Sequence, residues 1–251
     1  MSRTLNRDQA MRYNRQILMP GFDLDRQEQL MNSHALMIGA GGLGCACSQY
    51  LVASGLGHLS LMDGDVVELT NLPRQVLHSD KDIGRAKVES AQESLQILNP
   101  NARISTLKQR FNGDLQEIIA DKIDLVIDCS DNLSTRNHIN QMCFKHGLPL
   151  VSGAAIRMEG QITSFIPKDP TSPCYQCISS YFGEQNLSCV ESGILSPVVG
   201  VIGAMQALEA VKLLTDYGQP LAGKLLLFDA MSCEWQTIKV PKRSDCPVCA
   251  A

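Results

Sequence analysis

Short apolar runs and helix-length patterns alternate along the first 152 positions of this 251-residue chain. Polar helical stretches over 6–15 and 25–31 come first. Ala35-Leu36-Met37-Ile38 is then a run of strand type, followed by a glycine-rich turn and a helical pattern over 45–54. A second strand pattern over 58–62 ends in Asp63. The segment 64–82 is long, polar and mixed, and loops of that length in an α/β chain are usually functional or disordered. Helix 85–98 has apolar residues at Ala86, Ala91, Leu95 and Leu98 and stops at Asn99-Pro100. Strand 103–107, helix 113–120, a buried-strand pattern over 124–129, helix 134–146 and strand 148–152 complete the series.

This alternation predicts a parallel sheet with right-handed crossovers. After position 152 the pattern changes: 160–166, 224–228 and 234–240 read as strands without helices of the same kind between them. They are expected to extend the sheet by antiparallel pairing. The apolar stretch 194–214 is broken by Pro197, Gln206, Glu209 and Lys212. A buried helix after Pro197 is a better reading than a membrane span. The expected fold class is therefore α/β, a Rossmann-like, mainly parallel sheet extended by antiparallel strands.

Composition narrows the picture only slightly. A hydrophobic content of 44% and a charged content of 19% are those of a globular protein with a full core. The net charge of −4 gives no broad pull toward nucleic acid or anionic membrane. The polar start, Met1 to Gln16, has no apolar core of a secretory signal, so a cytoplasmic protein is expected. Ten cysteines in such a chain argue against a disulfide framework. Cys45, Cys47, Cys129, Cys143 and Cys233 read as small buried hydrophobes.

Gly39, Gly41 and Gly44 have the spacing of a nucleotide-binding turn, where backbone must approach a phosphate and a helix start offers free N–H groups. Asp63 can hydrogen-bond a ribose hydroxyl. By itself this fits NAD about as well as ATP. Ligands of open α/β sheets bind beyond the carboxyl ends of the strands. The turn, Asp63 with its loop, and Asp131-Asn132 all fall there, and Arg74 and Lys87 lie on the segments between. Two cations beside a carboxylate suit a triphosphate with Mg²⁺. An NAD-dependent oxidoreductase would leave Arg74, Lys87 and Asp131 without a role. A lone surface Lys or Arg is more often merely solvated, but the convergence on one sheet edge favours a site.

Cys174-Tyr-Gln-Cys177 and Cys246-Pro-Val-Cys249 supply four thiolates, the ligand set of a closed, structural tetrahedral zinc site. Two redox pairs are the alternative, but neither pair opens a helix after a strand in the thioredoxin manner.

Several motifs together resemble the ubiquitin-activating-type adenylyltransferases of bacteria, the HesA/MoeB/ThiF family. They are Arg12-Tyr-Asn-Arg-Gln16, Gly39-Ala-Gly-Gly-Leu-Gly44, Asp63, Asn71-Leu-Pro-Arg-Gln75, Lys87, Asp131-Asn132 and the two C-x-x-C pairs. The resemblance runs from about Met11 to Cys249, and residues 151–162 are similar to the molybdenum-cofactor branch rather than the thiamine branch. It implies one adenylation domain over 1–251, with N-terminal helices in 1–34, a nucleotide-binding half in 35–152 and a carrier-binding and zinc half in 153–251.

The activity implied is ATP-dependent adenylation of the C-terminal glycine of a small ubiquitin-fold sulfur carrier, the small subunit of molybdopterin synthase (MoaD-like), with release of pyrophosphate. The same reaction on the thiamine-pathway carrier is the near alternative, and a zinc-pinned, non-catalytic binder of a ubiquitin-like partner is a third reading. By resemblance, the Gly41-Gly42 backbone faces the phosphates, Asp63 holds the ribose, Asn71, Arg74 and Lys87 surround the phosphates, Asp131 positions Mg²⁺, and Asn132 belongs to the same site. Arg15 resembles an arginine that reaches into the neighbouring subunit's site, so a homodimer is implied. Pro73 stands where the family usually has Gln, which removes an N–H and fixes φ. Cys189 occupies the loop where thioester-forming relatives carry a nucleophilic cysteine; a bystander is the favoured reading, and a nucleophile the alternative. With no appended sulfurtransferase domain before Ala251, sulfur is expected from a separate donor.

Overall fold

A computed structural model describes residues 3–112, 122–182 and 193–250. The expected helix over 113–120 and Cys189 lie outside the described residues. Three short helices open the chain: α1 (Arg7–Arg12), α2 (Asn14–Ile17) and α3 (Asp23–Met31). The stretch expected as one helix over 6–15 is thus two, divided at Tyr13, which caps both.

The parallel part of the sheet consists of β1 (His34–Ile38), β2 (His58–Met62), β3 (Arg103–Leu107), β4 (Leu125–Asp128) and β5 (Leu150–Ile156). The antiparallel extension is β6 (Glu159–Phe165), β7 (Lys224–Asp229) and β8 (Glu234–Lys239). All eight strands form one sheet in the order β3-β2-β1-β4-β5-β6-β7-β8. Pairing is parallel from β3 through β5 and antiparallel from β5 through β8. The mixed sheet expected from the pattern is therefore observed.

Successive side chains of a strand point to opposite faces, and β1 shows the consequence. Ala35 and Met37 join an apolar cluster with α4 (Gly42–Ser54), α5 (Lys87–Leu98) and the long helix Ser196–Thr215. Leu36 and Ile38 join a second cluster on the other face, with α6 (Leu133–His146) and α7 (Tyr175–Phe182). A sheet covered on both faces explains why β1 is buried at every residue.

The long helix, α8 (Ser196–Thr215), is the segment apolar enough to suggest a membrane span. It is instead a core helix of the described fold, started by Pro197 in its first turn. Its three buried polar side chains, Gln206, Glu209 and Thr215, all make hydrogen bonds within the fold, Thr215 to the Val211 carbonyl at 2.7 Å. Gln206 donates to the Asp128 carbonyl at 2.8 Å, and Glu209 accepts from Leu221 N–H at 2.8 Å and from the Ser164 hydroxyl at 3.2 Å.

Two readings need correction. Cys233 is exposed, in the turn between β7 and β8 with φ of +59°, because that hairpin lies at the sheet edge where nothing covers it among the described residues. Cys174 immediately precedes α7, so the first C-x-x-C pair does open a helix, though nine residues beyond the end of β6.

Candidate nucleotide and metal sites

β1 and β4 lie side by side with Ile38 opposite Asp128, and the chain leaves them in opposite directions along the sheet. Such a switch point opens a crevice at the carboxyl ends of the two strands. Gly39 turns the chain there with φ of +102°, and a Cβ on it would stand 2.6 Å from the Cys129 carbonyl oxygen. Gly44 seals the turn from beneath, since its Cβ would meet the Gly39 oxygen at 2.1 Å. Gly41 is the N-cap of α4 and brings no side-chain cap, so the helix start presents uncapped N–H groups to the crevice.

Asp63 follows β2 and braces this turn. Its Oδ2 accepts the Ala40 N–H at 2.8 Å and its Oδ1 the Asp65 N–H at 2.9 Å. Asp65 in turn holds two cations, Lys87 Nζ at 3.2 Å and Arg110 Nη2 at 3.0 Å. Burial alone would raise the Asp65 carboxyl, but the charges and hydrogen bonds of Lys87 and Arg110 outweigh it and hold it below its ordinary range. Lys87 is buried at the start of α5.

The segment after Asp65 folds back over the turn. A 3₁₀ helix, Leu69–Asn71, buries Asn71, whose Oδ1 accepts the Glu68 N–H at 3.2 Å. The Arg74 carbonyl comes within 3.3 Å, and the Gln75 Nε2 within 3.8 Å, of where Cβ atoms of Gly42 and Gly41 would be. Arg74 Nη1 donates to the Thr70 carbonyl at 2.9 Å. Pro73 sits in the turn between Asn71 and Arg74, where the Arg74 N–H closes on the Asn71 carbonyl at 3.1 Å.

Asp131 and Asn132 are exposed just past β4. Asn132 caps α6 by accepting the Thr135 N–H at 2.9 Å. Arg15 stands exposed on α2.

The four cysteines of the C-x-x-C pairs converge, with sulfurs within 4.8 Å of one another. Cys174–Cys246 and Cys177–Cys249 are each 3.5 Å apart. Tetrahedral zinc with Zn–S of about 2.3 Å places its sulfurs roughly 3.8 Å apart, so the donor set fits. Burial pushes the Cys174 thiol up to about 11. Burial also opposes ionisation of Cys246, but the N–H groups of Cys249 and Val248 outweigh it and bring that thiol down to about 7. Each of the two 3.5 Å contacts joins the two pairs rather than the members of one, the arrangement a shared metal needs.

The ThiF family pattern matches residues 13–248. This chain belongs to the ThiF family. It is 50% identical over 246 residues to the molybdopterin-synthase adenylyltransferase of Escherichia coli K12, with 98% of each chain covered. It is 43% identical over 251 residues to the adenylyltransferase and sulfurtransferase MOCS3 of Drosophila virilis, covering 99% of this chain and 55% of that one. Among solved structures it resembles PaaA, with a TM-score of 0.81 at 26% identity over 97% of this chain and 77% of that chain. It also resembles MccB of E. coli crystallised with ATP, with a TM-score of 0.78 at 24% identity over 90% of this chain and 69% of that chain, a likeness that shows the fold.

This ThiF-family crevice contains residues that sequence patterns did not single out. Asp128 is buried and fixes the end of β4, accepting from Ser130 N–H at 2.9 Å, Ser130 Oγ at 2.6 Å and Ser152 Oγ at 2.9 Å. Arg136 reaches back from α6 to the Ser130 and Gly153 carbonyls at 2.7 and 3.0 Å. Beside the cysteine cluster, Asn140 on α6 accepts the Tyr175 N–H at 2.9 Å, while its buried Nδ2 has no hydrogen-bond partner among the described residues. An aspartate inside the apolar run 124–129 was the one available signal for Asp128.

Proposed function

We propose that this chain adenylates the C-terminal glycine of a ubiquitin-like sulfur carrier, the reaction for which its curated bacterial relatives are named. The observation that carries the reading is 50% identity to such an enzyme over nearly all of both chains. The crevice at the β1–β4 switch point supports it chemically. A carboxylate approaching a polyanion meets like-charge repulsion, and fixed N–H dipoles and cations offset it where charge builds up.

In this reading ATP lies across the Gly41-Gly42 turn with its ribose at Asp63. Both Asp63 oxygens already accept one backbone N–H, and each retains a lone pair for a hydroxyl. Asn71, Arg74 and Lys87 surround the phosphates, and Asn132 lines the same site. Arg74 leaves the Thr70 carbonyl and Lys87 shifts from Asp65 to do so. Asp131 would hold Mg²⁺, which when bound adds positive charge to the triphosphate. A carrier carboxylate oxygen forms a bond to the α-phosphorus, the α–β bridging P–O bond breaks, and its electron pair leaves with pyrophosphate. The acyl-adenylate remains for a separate sulfur donor.

The four cysteines would hold zinc, pinning the C-terminal segment to α7 as a structural centre. Arg15 would complete the site of a second copy in a homodimer, and the enzyme would work in the cytoplasm. The test is incubation with Mg-ATP and each purified carrier, of the molybdopterin-synthase and thiamine types. Mass spectrometry should find an AMP adduct on the terminal glycine of the former. No adduct on either carrier would refute adenylation, and an adduct on the thiamine-type carrier alone would reassign the substrate.

A further inference from the structure

Arg15 stands on an arm that has little core of its own. Neither α1, of six residues, nor α2, of four, contains a buried residue, and helices that short do not hold themselves together in water. Two side chains close to Arg15 fasten the arm instead. Tyr13 is 4% exposed, and its hydroxyl accepts from Asn99 Nδ2 at 2.8 Å. Gln16, the next residue after Arg15, donates from Nε2 to Gln27 Oε1 at 2.7 Å and to the Ser54 carbonyl at 2.9 Å.

Gln27, on α3, is the hub of this clamp. It is fully buried, and its Nε2 donates to the same Ser54 carbonyl at 2.9 Å. A carbonyl oxygen only accepts, so Ser54 fixes which way both amides face. Gly55 leaves the room for them: a Cβ there would stand 2.5 Å from Gln27 Nε2. Ser54 is the last residue of α4, whose first residue, Gly42, belongs to the nucleotide crevice. The two ends of a helix of that length are about 18 Å apart. The clamp thus fastens the arm to the end of α4 remote from its own crevice, which suits an arginine that serves a second copy.

We propose that Gln27 is a positioning residue for adenylation in the neighbouring subunit: by clamping Gln16 to the carboxyl end of α4 it sets where the adjacent Arg15 projects. The inference rests on the readings above that the chain adenylates a carrier and that Arg15 serves a second copy.

Mixed dimers of two differently tagged, co-expressed copies test this by carrier-dependent ATP–pyrophosphate exchange. Gln27→Met keeps the side-chain volume but loses both amide hydrogen bonds. Present in both subunits, it should slow exchange about 10–100-fold, the scale for a misplaced group. Paired with an Asp131→Ala subunit it should recover to about half the wild-type rate, because that subunit lends a well-held Arg15 to the one crevice that keeps Asp131. Paired with an Arg15→Ala subunit it should stay slow, since neither crevice then receives a well-held arginine. Wild-type exchange with Gln27→Met in both subunits, no rescue by the Asp131→Ala subunit, or rescue by the Arg15→Ala subunit would overturn the proposal. The last two are what a fault in the variant's own crevice gives. Should Gln27→Met not fold, Gln16→Met breaks the same clamp and is judged by the same pairings. An inactive pairing of Arg15→Ala with Asp131→Ala, or copies that do not pair, would instead refute the service of Arg15 to a second copy. Wild-type protein without exchange would refute adenylation itself.

Discussion

Lys87 is a nearly buried ammonium whose counter-charge, Asp65, is half in solvent, with side-chain exposures of 10% and 46%. Replacing Asp65 by Asn should therefore destabilise the empty protein. Breaking a fully buried pair costs about 3–5 kcal/mol and an exposed one about 0–1 kcal/mol. Screening at the Asp65 side puts this pair between those limits, at roughly 1–2 kcal/mol. For a chain of this size that corresponds to a fall in Tm of roughly 2–8 °C. Arg110 loses the same partner, but its side chain is 86% exposed and contributes little. If phosphates take over as the counter-charge of Lys87, saturating Mg-ATP should raise the Tm of Asp65→Asn more than that of wild type. The pH dependence has a definite sign. The folded Asp65 carboxyl lies below its ordinary 3.8, so its stabilisation is present above that value and disappears as pH falls through the folded value. The wild-type advantage should thus persist at neutral pH, begin to decline as pH falls below about 4, and vanish only below the folded value. Differential scanning fluorimetry with and without Mg-ATP measures all of this. Equal Tm values for the two empty proteins, or equal ATP increments, would refute the assignment of Lys87 to a site that trades Asp65 for phosphate.

Arg74→Ala and Asp131→Ala should each abolish carrier-dependent ATP–pyrophosphate exchange while leaving circular dichroism unchanged; near-normal exchange in either folded variant would remove that residue from the site. Cys246→Ser should abolish stoichiometric zinc in elemental analysis and lower Tm sharply, since a closed thiolate site can be worth on the order of 10 kcal/mol. Asn140→Leu keeps all four cysteines but removes the acceptor that fixes the Tyr175 N–H, next to Cys174. It should weaken zinc retention against a chelator by roughly 10–100-fold, the usual scale for groups that support metal ligands; wild-type retention would show the Asn140 contact to be incidental.

Much of the sheet was legible because buried parallel strands are short apolar runs with sharp ends. β2 and β3 fall on the expected residues, 58–62 and 103–107. Elements went astray where tertiary contacts override local pattern. α4 begins at Gly42 rather than 45, because the last residues of the glycine-rich stretch, Gly42 to Gly44, form its first turn. β5 runs on to Ile156, past the end of its parallel pairing with β4 at Ser152, because the antiparallel partner β6 continues beside it. α7 was unrecognised, since Cys-Tyr-Gln-Cys reads as a ligand motif before it reads as a helix start. The metal cluster was legible from spacing alone. Asn140 was not, because it acts on a main-chain group distant in sequence, which leaves no pattern. Gln75 is buried beside Gly41 with its Oε1 unpartnered among the described residues.

The acidic residues at the carboxyl edge of the sheet show most clearly what folding adds to a motif. In the sequence Asp63, Asp65, Asp128 and Asp131 are alike: each stands in or just after a strand pattern. The fold separates them by what their oxygens already do. Both Asp63 oxygens accept backbone N–H groups that shape the turn. Asp65 neutralises Lys87 and Arg110. Asp128 is buried and accepts three hydrogen bonds from Ser130 and Ser152. Asp131 is exposed and has only the long 3.4 Å contact from Asn132 Nδ2, with no ion pair among the described residues. A divalent cation needs carboxylate lone pairs that protein donors have not claimed. Of the four, Asp131 has the most such lone pairs free, since it shapes no turn, neutralises no cation and ties down no strand end among the described residues.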